Sequence, residues 1–318
     1  TKRSKSYWLL AVNMQLNPNK EPYFYSNRKH ISFLTVTMNA VQAAKVPMYR
    51  TKFSKHEFTQ HQLLSLVIFK EYLGVKYRQL CDILELTKEF REILGCSRIP
   101  HYTTLCRFSH RISSKLISRI LDTVTSLFYR SSGRISTIAI DSTGFPTSYF
   151  SYYYSVRAQK DRKGFLKISL AVDTHKQTIL ALKITKNRQH DTKHVPSLLR
   201  KSSRIKLARF YVLDRGYDSE AIHRQIREEF RAISYIPIRN WNASYVSGNY
   251  RQRMIKELDR TVYRRRNIVE TVFSVMKRKF GGFTRGFGFK SQVKEIKLKC
   301  IAYSLDRFLK YQTILSVV

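Results

Sequence analysis

Acidic residues are scarce in this chain. Asp and Glu number 22 among 318 residues, against 59 Lys and Arg, which gives a formal net charge of +37. A compact body with this charge repels itself, so a strongly negative partner is favoured. Nucleic acid is the obvious one, because contacts with phosphates supply affinity that does not depend on base sequence. A generally basic surface without such a partner is the alternative.

Long hydrophobic runs and cysteines are also few. No uninterrupted apolar stretch reaches the roughly 18 residues that a membrane helix needs, so no membrane partner is expected. Four cysteines do not resemble a disulfide framework in a chain of 318 residues, and a reducing location is the simpler interpretation. The series Cys96, His101, Cys106 and His110 has the donor types of a zinc site. It lacks the short C-x2-C spacing, so buried thiols beside incidental histidines are favoured.

The N-terminal part of the chain has helical periodicity after a polar and aromatic start. From about His56, apolar residues recur three and four positions apart, and Gly74 is a plausible stop for the first clear helix. Residues 1–130 are therefore expected to form a mostly helical region.

Short helices, a turn and a basic helix follow one another around residues 76–113. Pro100 ends one element, and Thr103 or Thr104 is expected to cap the next helix, which carries Arg107. This order is typical of a helix-turn-helix DNA reader, whose second helix enters the major groove. An ordinary helical bundle with solvated arginines is the alternative.

Residues 129–137 are the expected linker, because the periodicity changes there from helix to strand. The runs STIAIDST, ARFYVLDRGYDS and AISYIPI are β-rich, and FLKISLAVDTHKQTILALKIT reads as a hairpin with its turn at residues 174–177. A helix is expected at about 219–230, and the chain from Tyr263 onward is expected to be helical. These elements predict an α/β domain over residues 131–318, with a mixed sheet flanked by helices.

Two aspartates end apolar β-runs. Asp141 closes the run IAID and Asp214 closes YVLD, and α/β sheets place ligand-binding groups at the carboxyl ends of their strands. Each could instead simply begin a turn, as Asp often does. Two aspartates in the same setting, in a chain with 22 acidic residues, favour a shared site.

Glu270 stands alone in a basic stretch, YRRRNIVETVFSVMK. On a helix with about 100° per residue, it falls within one narrow arc with Tyr263, Arg266 and Lys277. The opposite, apolar face is expected to consist of Ile268, Val272, Val275 and Met276. A salt bridge between Arg266 and Glu270, four residues apart, is the simpler interpretation of the pattern, and it can coexist with a role in chemistry.

Three carboxylates make chemical sense beside a phosphate partner if Mg²⁺ is present. Mg²⁺ takes oxygen ligands, including one or two protein carboxylates per ion. Two such ions about 4 Å apart can activate the attacking oxygen and stabilise the leaving oxygen in phosphodiester cleavage. Close carboxylates repel one another unless cations lie between them.

These residues resemble the motifs of the DDE transposases of bacterial and archaeal insertion sequences. The stretch from Tyr263 to Lys277 reproduces, at full spacing, the signature Tyr-x2-Arg-x3-Glu-x6-Lys of one group in that family. IAIDST resembles the first-Asp motif, VLDRGYDS resembles the second, and NRQHD, which ends at Asp191, is similar to a further segment of structural character. KYRQLCDIL and PHYTTLCRF resemble the N-terminal DNA-binding region. The likeness covers roughly residues 60–310.

The resemblance implies a ribonuclease H-like catalytic domain and a reaction that depends on Mg²⁺, with Mn²⁺ as a substitute. Asp141, Asp214 and Glu270 would be the catalytic metal ligands. The residues expected to contact DNA are Tyr263, Arg266 and Lys277, together with Arg107 of the basic helix. The enzyme would cleave double-stranded DNA at the element's terminal inverted repeats and join the 3′-OH strands to target DNA. A homodimer or larger assembly on paired ends, in the cytoplasm and nucleoid of a prokaryotic cell, is expected.

Two other functions remain open at this stage, namely a non-catalytic DNA-binding protein derived from a transposase and a nuclease that does not join strands. Three separated carboxylates argue against the first, because a binding protein has no need of them. Only 55 residues separate Asp214 from Glu270, so the large β-insertion of some relatives is not expected. Trp241 in that interval could stack on a flipped base, although a core or surface position is favoured. His190 and His194 are expected at the surface.

Overall fold

The computed structural model describes residues 28–129, 133–147, 165–186, 190–239 and 245–317. They form two compact units. The first consists of the helices up to Leu127 together with Val293–Val318, and the second is Phe128–Gln292. The C-terminal segment from Val293 therefore groups with the first unit, outside the range 1–130 that the sequence suggested for the helical region.

The first unit is helical. Its helices are α1 (Lys29–Ala43), α2 (Gln60–Leu73), α3 (Tyr77–Leu86), α4 (Lys88–Leu94), α5 (Tyr102–Arg111) and α6 (Ser114–Ser126), and the C-terminal helix α12 (Phe289–Val317) contributes its residues from Val293 onward. A capping box between Thr59 and Gln62 begins α2, and Gly74 ends it in the left-handed conformation with φ 72°. The stop predicted at Gly74 is therefore confirmed.

The basic helix α5 begins earlier than its sequence suggested. It starts at Tyr102, with His101 as the preceding residue, so Thr103 and Thr104 lie inside the first turn and do not cap it. The hydroxyl of Thr103 is instead 2.8 Å from Nδ1 of His101, an interaction that the cap prediction did not consider.

Lysines of α12 hold the corner between α5 and α6. Nζ of Lys294 donates to the carbonyl oxygens of Ser109 at 3.1 Å and His110 at 2.6 Å, which are among the last acceptors of α5. Nζ of Lys297 donates to the hydroxyl of Ser118 at 2.6 Å. These bonds, together with the buried side chains of α12, explain why the C-terminal helix belongs to the N-terminal unit.

The second unit contains a five-stranded mixed sheet. Its strands are β1 (Ile135–Pro146), β2 (Phe165–Asp173), β3 (Thr178–Lys186), β4 (Ala208–Leu213) and β5 (Ile233–Tyr235), in the spatial order β3-β2-β1-β4-β5. The pairs β1–β2 and β2–β3 are antiparallel, whereas β1–β4 and β4–β5 are parallel. The predicted hairpin is confirmed as β2–β3, and the mixed sheet fits a ribonuclease H-like domain.

Helices cover the sheet through two sets of contacts. They are α7 (Val195–Ile205), α8 (Glu220–Arg224, continued by a π-helical turn Gln225–Glu229), α9 (Asn249–Glu257), α10 (Arg260–Arg264) and α11 (Asn267–Phe280). The core built with α7 and α8 includes Ile138 and Ile140 of β1, whereas α11 packs on β1 and β2. Since side chains alternate between faces along a strand, α11 covers the face that carries Asp141.

The single helix predicted from Tyr263 onward is interrupted. Helix α10 ends at Arg264, and α11 begins at Asn267. Between them the backbone turns tightly, with N–H groups bonding to carbonyls three residues back, from Arg266 to Tyr263 at 2.9 Å and from Val269 to Arg266 at 3.1 Å. The prediction of a continuous helix was wrong here, although Tyr263 and Arg266 still lie one turn apart.

Candidate active site

The parallel pair β1–β4 places two aspartates at the same level of the sheet. Ile140 pairs with Leu213, and Asp141 and Asp214 are the residues that follow them. The sequence placed Asp141 at the end of its strand, and this was wrong. Strand β1 continues to Pro146 because it goes on pairing with β2, for instance through Asp141 and Leu170. Asp141 lies where the pairing with β4 ends.

Asp141 is the most perturbed carboxyl group of the site. Its side chain is 21% exposed, and Oδ1 accepts a hydrogen bond from the backbone N–H of Ser142 at 2.7 Å. Its pKa is raised to about 6, chiefly by burial and to a smaller extent by the charges of Asp214 and Glu270, while the Ser142 bond and Arg266 oppose the rise. Asp214 and Glu270 therefore lie within electrostatic reach of Asp141.

Helix α11 carries Glu270 on its outer side. The side chains that the helix buries are Val269, Val272, Phe273, Met276 and Phe280. Val272 and Met276 agree with the predicted apolar face, whereas Ile268 and Val275 are only half-buried. The break before Asn267 shifts the helix register relative to one continuous helix. The side chain of Glu270 remains 54% exposed.

One guanidinium bridges two of the carboxylates. Nη1 of Arg266 lies 2.8 Å from Oε1 of Glu270 and 3.6 Å from Oδ2 of Asp141. The salt bridge that the sequence suggested as the simpler interpretation is therefore present, and it extends to Asp141. Burial raises the pKa of Tyr263, and the charge of Asp214 adds to this effect while that of Arg266 opposes it. Tyr263, Arg266 and the three carboxylates form one group.

Lys277 contacts the same strand farther along. Nζ donates to Oγ1 of Thr143 at 2.7 Å and lies 5.3 Å from the ring centroid of Phe145. Burial lowers the pKa of Lys277. Thr143 follows Asp141 by two positions, so α11 is fixed to the carboxylate-bearing face of β1 by Lys277 as well as by Arg266.

The carboxylate oxygens of the site are the type of donor that a divalent cation such as Mg²⁺ prefers. Among the described residues, no group of three or more His, Cys, Asp and Glu side chains is arranged to hold a metal ion, and this includes the cysteines and histidines at 96–110. The carboxylates of the site are oxygen donors, and the repulsion from Asp214 and Glu270 adds to the burial that raises the pKa of Asp141. A cation would relieve that repulsion, provided that Glu270 turns inward and Arg266 gives up its bridge.

A buried hydrogen-bond network below the aspartates was missed by sequence reasoning. The hydroxyl of Ser142 lies 2.7 Å from that of Ser169 and 2.9 Å from that of Tyr217, and Ser169 lies 2.8 Å from Nδ1 of His194. His194 is 1% exposed, so its predicted surface position was wrong, whereas His190 is exposed. Proximity to the aspartates in the sequence could have indicated these residues, since Ser142 follows Asp141 and Tyr217 lies in the VLDRGYDS run with Asp214.

Asp191 and Trp241 complete the set of residues singled out from the sequence. A carboxylate oxygen of Asp191 lies 2.5 Å from Nζ of Lys167, an ion pair that ties the loop before α7 to β2. Trp241 lies outside the described residues. Arg107 is exposed on α5 of the first unit.

A family model described as "Transposase DDE domain" matches residues 132–305, more than half of the chain. The chain belongs to this transposase family. The match includes all five strands, Asp141 and Asp214, and α11 with Glu270. It continues into α12, whose residues from Val293 belong to the helical unit. In the described part of the transposase, none of the helices combines the length and the apolar character that a membrane span requires.

Proposed function

We propose that this transposase comes from a prokaryotic insertion sequence of the Tyr-Arg-Glu-Lys signature group. It binds the terminal inverted repeats of its element, cleaves DNA at the element ends and transfers the 3′-OH strands to target DNA. The observation that carries the proposal is the grouping of three carboxylates: Asp141 and Asp214 follow the paired residues Ile140 and Leu213, and Arg266 links Asp141 to Glu270 of α11. Their mutual repulsion has no use in a protein that only binds DNA.

Asp141, Asp214 and Glu270 are the proposed ligands of Mg²⁺, with Mn²⁺ as a substitute. When bound, two such ions supply activation of the attacking oxygen and stabilisation of the leaving oxygen. The sheet contributes orientation, because Asp141 and Asp214 leave neighbouring strands at one level. Glu270 contributes a third oxygen donor, and over half of its side chain is exposed to solvent.

The basic and aromatic residues of the site are proposed to hold the DNA strand. Arg266 can exchange its two carboxylate contacts for a phosphate, because a guanidinium binds both groups with the same paired donors. Lys277, positioned by Thr143, offers a further N–H donor to the backbone. Tyr263 offers a hydroxyl within electrostatic reach of Asp214 and Arg266. These donors would stabilise charge that develops on the phosphate oxygens.

The helical unit is proposed to recognise the element ends. Helices α3 and α5 contact each other, and α5 exposes Arg107 to solvent, as a helix that enters the major groove would. The large positive charge of the chain supports a duplex DNA partner. Joining two ends to one target requires at least two active sites, so a homodimer or larger assembly on DNA is part of the proposal.

Glu270→Gln tests the proposed chemistry. The variant should lose Mg²⁺-dependent cleavage and strand transfer, because an amide is a weaker ligand, while its affinity for end DNA stays within about twofold of the parent. Glu257→Gln is the matched control, since Glu257 is another partly exposed glutamate of the same unit and contacts Arg227. Retained cleavage by Glu270→Gln would contradict the assignment.

The same assay separates the alternative functions. A parent protein that binds the inverted repeat but does not cleave it with Mg²⁺ or Mn²⁺ would be a non-catalytic DNA-binding protein. Cleavage at the ends without joined products, in the presence of target DNA, would identify a nuclease.

A further inference from the structure

The loop between α11 and α12 presents a phenylalanine to solvent. Phe287 is 98% exposed, more than any other large hydrophobic side chain in the part of the chain that the structure describes. The loop is anchored next to it, because the backbone N–H of the buried Thr284 donates to the carbonyl of Pro146 at 3.0 Å. A fixed segment therefore holds the ring away from the protein surface.

Two glycines flank this ring and cannot be replaced without moving the loop. A Cβ atom at Gly286 would lie 3.0 Å from the backbone carbon of Ser291, and Gly288 has φ +79°. The first position needs a close approach to the start of α12, and the second needs a left-handed backbone. Phe287 is consequently presented without side chains on either neighbour, so both faces of its ring are open to a flat ligand.

The chain segment that contains Phe287 carries charge of one sign. Residues 271–292 contain no Asp or Glu, and their basic side chains are Lys277, Arg278, Lys279, Arg285 and Lys290. The guanidinium of Arg285 already lies over the ring of Phe283, 5.7 Å from its centroid. An exposed aromatic ring among basic residues is the combination by which proteins bind unpaired nucleotides, the ring stacking on a base and the cations contacting phosphates.

We propose that Phe287 is a stacking site for an unpaired DNA base near the cleaved end. The inference rests on the proposed function, since it takes DNA as the substrate, and it adds a contact outside the carboxylate site. The ligand is an unpaired base because base faces inside a duplex are already covered by their neighbours. Another copy of this chain is a poorer occupant, because its own net charge of +37 would be brought against this basic segment.

The position of the loop limits which base this can be. Thr284 is bonded to Pro146, and Pro146 lies five residues beyond Asp141 on β1. At about 3.3 Å per residue, the anchor is about 17 Å from Asp141 along the strand. An extended single strand covers that distance with only a few nucleotides, so the stacked base should lie within about seven nucleotides of the cleaved phosphate.

The test uses the full chain without divalent ions and compares Phe287→Ala, Phe287→Leu and Phe287→Trp. Fluorescence anisotropy measures affinity for a single-stranded oligonucleotide and for a fully paired duplex of the same sequence. Phe53→Ala is the matched control, because Phe53 is also exposed, at 86%, and has Lys52 over its ring. Binding of a strand that carries 2-aminopurine within seven nucleotides of the end reports stacking directly by quenching.

We expect Phe287→Ala and Phe287→Leu to bind the single strand about tenfold more weakly, with loss of 2-aminopurine quenching, and Phe287→Trp to retain both. Duplex affinity and the salt dependence should stay unchanged, because no phosphate contact is removed. Equal single-strand affinity of Phe287→Ala and the parent overturns the proposal, and so does full retention by Phe287→Leu. A changed oligomeric state of Phe287→Ala with unchanged DNA affinity overturns it in favour of self-association. If the parent protein binds no DNA at all, the proposed function fails instead.

Discussion

Replacing Asp141 by Asn should stabilise the metal-free protein. The folded-state pKa of this carboxyl group is raised from 3.8 to about 6, chiefly by burial and also by Asp214 and Glu270. The unfolded chain therefore releases the Asp141 proton at a lower pH than the folded chain does. Folding becomes less favourable as the pH rises from about 4 through about 6, and the full penalty is present above that range.

The size of the effect follows from the pKa shift. Each unit corresponds to about 1.4 kcal/mol, so a shift of roughly two units makes the ionised Asp141 cost about 3 kcal/mol of unfolding free energy at pH 8. Asn is neutral at every pH and can still accept the N–H of Ser142 through its amide oxygen. Asp141→Asn should gain up to this amount at pH 8 and almost nothing below pH 4.

Urea unfolding in EDTA, followed by circular dichroism between pH 3.5 and 8, measures the difference. Asp218→Asn is the control of opposite sign. Burial pushes the pKa of Asp218 up, but its bonds from Arg251 at 2.7 Å and from the N–H of Arg239 outweigh burial and lower the pKa. Asp218→Asn should therefore destabilise the protein at neutral pH, and this loss should shrink as the pH falls through the lowered pKa.

The result that refutes the reasoning is an Asp141→Asn variant that is no more stable than the parent at pH 8. In that case burial and the neighbouring charges of Asp214 and Glu270 do not penalise the ionised Asp141, and its raised pKa is wrong. A gain that persists below pH 4 would show that packing, and not charge, is responsible.

Two further variants test the cation site and the helical unit. Arg266→Ala should bind Mn²⁺ about tenfold more tightly in calorimetric titrations of the DNA-free protein at pH 8, because the guanidinium no longer competes for Asp141 and Glu270. The variant should nevertheless cleave DNA more slowly. Arg264→Ala, at an exposed position, is the control, and an unchanged Mn²⁺ affinity of Arg266→Ala would contradict the competition. Arg107→Ala should weaken binding to the inverted repeat by about 5- to 100-fold and binding to unrelated duplex DNA far less. Arg50→Ala, at another exposed position, should weaken binding to both DNAs equally. Equal losses for Arg107→Ala would show that α5 is not the helix that reads the DNA sequence.

Apolar runs made the sheet largely predictable. Strands buried on both faces leave continuous hydrophobic sequences. IAID lies in β1, YVL of the run YVLD ends β4, and the predicted hairpin forms β2 and β3. The end of β1 was not predictable in the same way. Ser142, Thr143 and Gly144 read as a turn, but they remain in the strand because β2 supplies hydrogen-bond partners from a distant part of the chain.

The site was predictable in composition but not in its connections. The spacing of Tyr263, Arg266 and Glu270 was sufficient to group them, since residues three and four apart stay adjacent in an α-helix and nearly so across a tight turn. The bridge from Arg266 to Asp141 and the contact of Lys277 with Thr143 depend on how α11 lies on β1, which no local pattern encodes.

The grouping of α12 with the helical unit has a consequence for experiments on domain function. Lys294 and Lys297 donate to groups of α5 and α6, so a truncation that removes residues 1–130 would strip α12 of these acceptors and of its buried contacts. Loss of DNA binding in such a fragment would not separate recognition from misfolding. Point variants on the exposed face of α5 avoid this problem.

The three carboxylates of the candidate site repel one another, although acidic residues are scarce in this chain. Three carboxylates could be kept apart at little cost in a chain with 22 acidic residues, yet the charges of Asp214 and Glu270 add to the burial that raises the pKa of Asp141. Arg266 offsets part of this repulsion through contacts at 2.8 Å with Glu270 and 3.6 Å with Asp141. A divalent cation would offset more, because it carries twice the charge of a guanidinium. Phosphate is in turn a suitable new partner for the released Arg266, so cation and DNA are expected to bind the site cooperatively.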